Sequence, residues 1–159
     1  MPFFQYTIET PPDLVAAMPL VMAAVGEKLT LSMLQLQRHI VTEKLSGQML
    51  KARSGRLIES VQPIPTAVGE TVATAGVTAG GGQAFYGAIQ EFGGTRGYPI
   101  VPVTKRALAF DWLGAHWIRQ RVYRKPLPPR PFMASSLEEM IPTIVANIEA
   151  GIAEGLGAV

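Results

Sequence analysis

Apolar residues recur at helical spacing near both ends of the chain. In the N-terminal part they follow one another at intervals of three or four residues: Met22, Val25, Leu29, Met33, Leu36 and Ile40. That period places them on one face of an amphipathic helix, and Gly47 is its predicted stop. Pro19 predicts either the first turn of this helix or a break after a short helical piece at 13–18.

The same period returns in the C-terminal part. It runs through Leu137, Ile141, Ile144, Ile148 and Ile152, with Val145 and Leu156 widening the stripe. We predict a second helix that buries this stripe. Ser135 with Glu138 fits a capping box at its start, and Ser136 with Glu139 fits one equally well. Pro142 predicts a kink or a restart of the helix.

Between the two helices the pattern shortens to the alternation that is typical of β-strands. Residues 71–77 predict one strand, while residues 107–112 and 116–123 predict a hairpin that turns at 113–115. Alternation along the second hairpin strand places four side chains on a single face: Trp117, Arg119, Arg121 and Tyr123.

These elements predict a single α+β domain spanning 1–159, in which a small, mostly antiparallel sheet packs against the long N-terminal helix and the C-terminal helix. An extended segment is expected at 1–12. A flexible loop is expected at 78–83, and a stiff, extended proline-rich segment at 124–131. With 48% hydrophobic and 16% charged residues, the chain can form an apolar core.

Composition and spacing exclude several kinds of chemistry. The chain has no cysteine, so disulfides, thiolate catalysis and cysteine-based metal centres are excluded. Neither His39 nor His116 stands at metal-ligand spacing from a carboxylate, and no nucleophile elbow or phosphate-binding loop occurs. We therefore predict no catalytic, metal or cofactor site. The longest apolar run, 14–25, falls short of the roughly 20 residues that span a bilayer, so no membrane segment is predicted either.

Charge is distributed unevenly along the chain, although the formal net charge is only +2. Residues 97–130 carry seven basic side chains against one acidic one, whereas residues 131–159 carry four acidic side chains and no basic one. This polarity suits head-to-tail contacts between copies, and two unlike faces of a solvated monomer would give the same pattern. Arginine interleaved with aromatic residues is typical both of protein interfaces and of single-stranded nucleic-acid platforms.

Three segments, in this order, resemble a known family. Residues 53–61 have the sequence Arg-Ser-Gly-Arg-Leu-Ile-Glu-Ser-Val, residues 84–95 Ala-Phe-Tyr-Gly-Ala-Ile-Gln-Glu-Phe-Gly-Gly-Thr, and residues 129–137 Pro-Arg-Pro-Phe-Met-Ala-Ser-Ser-Leu. Together they resemble the tail-completion or head–tail joining (neck) proteins of long-tailed bacteriophages, also described as minor tail or virion morphogenesis proteins. The positions that match the family pattern are Ser54, Gly55, Leu57, Ser60, Tyr86, Glu91, Phe92, Gly93, Thr95, Pro131 and Phe132.

The resemblance implies a structural protein of the virion, not an enzyme. Its subunits would form a ring, with six as the expected number, that completes the tail and joins it to the head. The implied partners are neighbouring neck or connector proteins, a tail terminator or tail tube protein, and DNA in the channel without sequence specificity. Assembly would take place in the host cytoplasm, away from membranes. The alternatives are a tail terminator or other minor tail protein and, from a different class, a nucleic-acid-binding protein that uses residues 117–124.

Roles for individual residues follow from this picture. The matched positions are expected to determine the fold: Tyr86 and Phe92 would anchor a short helical turn, Glu91 could pair with Arg56, and Phe132 would enter the core. The residues expected to contact partners are Trp117, Arg119, Arg121, Tyr123, Arg124, Gly80, Gly81, Gly82 and Arg96.

Overall fold

The computed structural model describes residues 12–47, 49–50, 55–94 and 97–157. Its helices are α1 (Pro12–His39), α2 (Arg56–Glu59), α3 (Gly87–Phe92) and α4 (Phe132–Gly157), with a π-helical turn at Ile40–Lys44 and a 3₁₀ turn at Gly82–Ala84. Its strands are β1 (Gln62–Val68), β2 (Ala73–Thr78), β3 (Tyr98–Ile100), β4 (Leu108–Trp112), β5 (Ala115–Arg119) and β6 (Val122–Arg124). The predicted α+β class is confirmed. The N-terminal segment expected to be extended lies outside the described residues up to position 11, and Pro12 already belongs to α1.

The predicted apolar stripe of α1 is the centre of the core. Met33, Leu36 and Ile40 are all buried, the last completely. They form one cluster with side chains from the following turns, from α2 and from the start of α4: Leu45, Leu50, Leu57, Val61, Ala84 and Phe132. α4 packs on one face of α1, and the β1–β2 sheet packs on another. α1 is therefore the middle layer of the molecule.

Two prolines that predicted helix breaks lie inside continuous helices. α1 runs through Pro19 and α4 runs through Pro142, so the predicted break in the first and restart in the second are wrong. Both prolines are exposed, and the carbonyl groups that they leave unpaired can be hydrated. Packing of the flanking turns against the rest of the protein then stabilises the helix, although proline disfavours it locally.

Close contact between α1 and α4 depends on glycine. A Cβ atom at Gly155 would lie 2.3 Å from the Cα atom of Val21, and one at Gly151 would lie 3.1 Å from the Cα atom of Val25. Asn147 adds a polar contact, because its amide donates to Ser32 Oγ at 2.9 Å. The two backbones therefore approach each other where α4 carries its smallest residues.

The N-terminus of α4 is capped by a carboxylate from α3. Glu91, only 8% exposed, accepts hydrogen bonds from the backbone amides of Met133 and Ala134, each at 2.9 Å. A helix N-terminus presents unpaired N–H groups and a partial positive charge, so a carboxylate there is stabilising. Both predicted capping boxes are wrong because α4 begins at Phe132, upstream of either serine. None of the ion pairs among the described residues joins Glu91 to Arg56.

The strands form three separate antiparallel pairs, β1–β2, β3–β6 and β4–β5. β2 overlaps the strand predicted at 71–77. β1 was not predicted, since Pro63 and Pro65 argue against a strand. A two-stranded sheet tolerates them because both of its edges are free and its register is irregular between Ile64 and Ala67.

The proline-rich segment joins β6 to α4. Residues 125–131 have neither helical nor strand structure, and Arg124, the first residue of the segment predicted to be extended, belongs to β6. They are tied to the end of α3, where Gly94 N donates to Leu127 O at 2.9 Å and Arg130 N to Gln90 O at 2.7 Å. Gly93, at φ +78°, provides the turn that this contact requires, and a Cβ there would lie 2.8 Å from Leu127 O.

Candidate interaction surfaces

The β4–β5 hairpin is the most exposed regular structure in the described chain. Its two-residue turn is formed by Leu113 and Gly114, at φ +52° and +79°, as a type I′ turn requires. Every residue in the range 111–121 is exposed. Apart from the pairing of its own strands, the hairpin does not pack extensively on any other helix or strand of the described chain. It therefore projects from the molecule.

One face of this hairpin is aromatic and basic. The register pairs Phe110 with Trp117 and Leu108 with Arg119, so these side chains and that of Trp112 share a face. The Arg119 guanidinium lies 4.6 Å from the centre of the Trp117 ring, within the range of a cation–π contact. The opposite face carries Ile118, which is 62% exposed.

The structure divides the four-residue face that was predicted on the second hairpin strand. β5 ends at Arg119, and the chain leaves the hairpin before Tyr123 and Arg124, which belong to β6. β6 pairs with β3, so the prediction of one continuous strand at 116–123 is wrong. Trp117 and Arg119 stay together, while Arg121 lies in the exposed connection between the two sheets.

Sequence reasoning did not identify Phe110 and Trp112 as members of this surface. Both stand on the first hairpin strand, and only cross-strand register places them beside Trp117. The predicted three-residue turn at 113–115 would pair Trp112 with His116, whereas the observed two-residue turn pairs Trp112 with Ala115 and Phe110 with Trp117.

A second exposed surface runs along α4 beside the face that packs on α1. We call it the outer stripe: Leu137, Ile141, Val145, Ile152 and Leu156, each 40–49% exposed. These residues were predicted to be core, and that prediction is wrong for them. Ile144 and Ile148 of the same predicted stripe are half-buried. The face that packs on α1 instead uses small residues, Ser136, Gly151 and Gly155, together with Phe132.

α3 carries a third, smaller apolar surface. Phe85, in the turn before α3, and Ile89 and Phe92 in the helix are 71%, 45% and 77% exposed, and the spacing of Ile89 and Phe92 places these two on one side of the helix. The expectation that Phe92 anchors this turn is therefore wrong. Tyr86 does contact the core cluster, and Glu91 joins α3 to α4.

The other matched positions act within the fold where the structure describes them. Leu57 is buried in the core cluster. Gly55 adopts φ +72° at the start of α2, and Ser60 Oγ accepts a hydrogen bond from Gly80 N at 2.9 Å. Pro131 is exposed directly before α4. Ser54, Thr95 and Arg96 lie outside the described residues.

The glycine loop is held by a hydrogen bond at its first residue and by one from Ala84 N to Gly81 O at 2.8 Å. Gly80, Gly81 and Gly82 all have positive φ, and the bond from Gly80 to Ser60 holds the first of them. A Cβ at Gly81 or Gly82 would meet nothing within 4 Å. The flexibility expected for 78–83 stays a prediction.

Each ion pair among the described residues includes an exposed carboxylate. Glu139 takes part in two of them, accepting from Lys44 Nζ at 2.5 Å and bonding His39 Nε2 at 2.8 Å. Lys44, and to a lesser degree His39, lowers the pKa of Glu139 through these hydrogen bonds. On the hairpin, His116 Nδ1 lies 2.7 Å from Asp111 Oδ1. No group of three or more potential metal ligands occurs among the described residues.

The described chain also contains a shallow cleft and a long apolar helix. The cleft, between α1 and β1, has a volume of about 190 Å³, below the roughly 300–1,000 Å³ of small-molecule pockets. Val15–Lys44 is long and apolar enough to cross a membrane by length and composition. The apolar run at 14–25, taken alone, is too short for this. Core helices pass the same test, and this one lies between α4 and the β1–β2 sheet.

No protein-family profile matches the chain, and neither does any curated protein or solved structure.

Proposed function

We propose that this protein is a structural subunit of a tailed bacteriophage, forming a ring in the neck that completes the tail and joins it to the head. The ordered resemblance of its three segments to neck proteins suggests this role. The observation that carries the proposal is the apolar surface that a single copy leaves exposed, above all the outer stripe of α4. Contiguous exposed apolar surface is typical of protein–protein interfaces.

The unlike character of the surfaces supports a ring in particular. The hairpin is aromatic and lies in the basic part of the chain, whereas α4 carries only acidic charges, at Glu138, Glu139, Glu149 and Glu154. A contact between two different surfaces is heterologous, and heterologous contacts produce rings when their rotation closes. A symmetric dimer would instead need a surface that complements itself.

The polar side chains are consistent with a role without catalysis. The buried Glu91 is engaged by the backbone of α4. His39 and His116 each pair with a carboxylate at the surface.

The test of this function is the phage itself. Deleting the gene from the phage that encodes it should yield filled heads and complete tails that remain separate in electron micrographs, and supplying the protein should join them. Antibody labelling should mark the neck of intact particles. Normal virions from the deletion, or label along the tube or on the capsid, would contradict the proposal.

A nucleic-acid-binding protein is the second candidate, and a specific observation favours it. Arg119 stacks on Trp117 at the exposed hairpin, and stacked aromatic residues beside arginine are used by single-strand binders. Binding of single-stranded DNA that weakens with salt, and is lost in Arg119→Ala/Arg121→Ala, would support this alternative.

A further inference from the structure

The outer stripe of α4 presents a long apolar strip with acidic groups beside it. From Leu137 to Leu156 it runs for about 28 Å at 1.5 Å per residue. Glu149 lies one turn from both Val145 and Ile152, and Glu138 lies one turn before Ile141. Neither glutamate has an ion-pair partner among the described residues. This surface therefore suits a partner that is both apolar and basic.

The β4–β5 hairpin has that chemistry. Trp112, Leu113 and Ile118 are 64%, 91% and 62% exposed, and Arg119 and Arg121 stand at its base. An isolated two-stranded hairpin is at best marginally stable in water. This one lies in the segment with seven basic residues against one acidic residue. Docking on an apolar, acidic surface would bury its aromatic residues and neutralise its arginines.

We propose that the hairpin of one copy docks on the outer stripe of α4 in the next copy, in a head-to-tail contact that builds the assembly. This inference rests on the proposed ring and names the two surfaces that form its repeated contact. Arg119 of one subunit would lie against Glu149 of its neighbour.

Charge argues for this pairing over the symmetric ones. Two α4 helices packed through their outer stripes would bring Glu138 and Glu149 of both copies together without any basic residue on either helix. Two hairpins packed together would bring arginines together. Like charges across an interface oppose association, whereas the hairpin–stripe contact joins opposite charges.

Two variants, each damaging one surface, test the contact. Trp112→Ala/Trp117→Ala removes the hairpin's aromatic face, and Ile141→Glu/Val145→Glu places charge in the outer stripe. In sedimentation velocity, the wild type should form a closed oligomer, and each variant alone should be a monomer. An equal mixture retains one intact contact, so it should form a heterodimer and stop there. Circular dichroism should show wild-type helix content for both variants.

Charge reversal adds a second measurement. Arg119→Glu and Glu149→Arg should each weaken association by tenfold or more, about 1.4 kcal/mol, and the two changes in one chain should restore it. Arg38→Glu is the matched control, since Arg38 is exposed on α1, belongs to neither surface, and should leave association unchanged.

The results that overturn the contact differ from those that overturn the function. Variants that assemble like the wild type, a mixture that stays monomeric, a failed rescue, or a wild type that is monomeric at all concentrations would each overturn the hairpin–stripe contact. The neck role would still be decided by the deletion phenotype. Separate heads and tails together with an intact ring of hairpin variants would support the function and refute this interface.

Discussion

The helical body and the β4–β5 hairpin use their large apolar side chains in opposite ways. In the body, Phe132 and Ile40 are 1% and 0% exposed and belong to one hydrophobic cluster to which α1, α2 and α4 contribute side chains. In the hairpin, Trp112 and Ile118 are more than 60% exposed. Burial of apolar surface is the dominant favourable term in folding, so the body accounts for the stability of the monomer and the hairpin adds little to it.

α4 belongs to both regions at once. Its inner face meets α1 through Gly151 and Gly155, and its outer face carries the exposed stripe. A helix that is apolar around most of its circumference is normally buried on all sides. The comparison therefore predicts that changes on the inner face reduce stability, whereas changes on the outer face and the hairpin reduce assembly.

Phe132→Ala gives the largest expected loss of stability. Phe132 is fully buried at the point where α4 enters the core, and truncating such a phenylalanine costs about 3–5 kcal/mol. Leu137→Ala, five residues further along α4 but 46% exposed, is the matched control and should cost much less. Urea denaturation measures both. Equal losses of stability for the two variants would show that the inner and outer faces of α4 do not differ in their contribution to folding.

Glu91→Gln is expected to give the second largest loss of stability. The change keeps the size of the side chain but removes the charge that caps α4, and we expect a loss of about 1–3 kcal/mol in the free energy of unfolding. Glu138→Gln, on the exposed face of the same helix start, is the control and should have little effect. If both variants unfolded at the wild-type urea concentration, the cap would not contribute to stability.

The local sequence pattern was sufficient to predict much of the helical body. The spacing of Met33, Leu36 and Ile40 predicted the buried face of α1, and the burial of Phe132 was predicted as well. Helix length and type follow from periodicity, which is a property of neighbouring residues. The position of the hairpin turn was predicted too, because turn chemistry is local, but at 113–115, one residue longer than the observed turn at Leu113 and Gly114.

The errors arise where the outcome depends on distant residues. Periodicity showed that α4 has an apolar stripe, but the side that meets α1 was determined by the small volumes of Gly151 and Gly155. The cap of α4 comes from Glu91, about forty positions upstream, and no local sequence pattern predicts this contact. The hairpin face needed Phe110 and Trp112, which only strand register places beside Trp117.

Glu139 tests a smaller contribution to the body, through pH. Lys44, with His39, lowers the pKa of Glu139 below its ordinary value of 4.5. The stabilisation is therefore present above pH 4.5 and is lost as the pH falls through the lower, folded-state pKa. Thermal unfolding of wild type and Glu139→Gln should differ at pH 7 and converge in acid. A difference that persisted at pH 2 would show that the effect is not electrostatic.

Excising the hairpin should have the smallest effect on stability and is the most direct test of the comparison. Replacing residues 108–119 with two glycines leaves the β3–β6 pair and every member of the core cluster in place. Because the removed segment packs mainly on itself, the free energy of unfolding should change by no more than about 0.5 kcal/mol, as for surface changes in general. The same variant should fail to assemble, since it lacks the residues that would bury the outer stripe of a neighbour. Urea denaturation and sedimentation velocity on one preparation give both quantities. A large loss of stability would place the hairpin within the folded body, and the division between a stabilising body and a recognising hairpin would then be wrong.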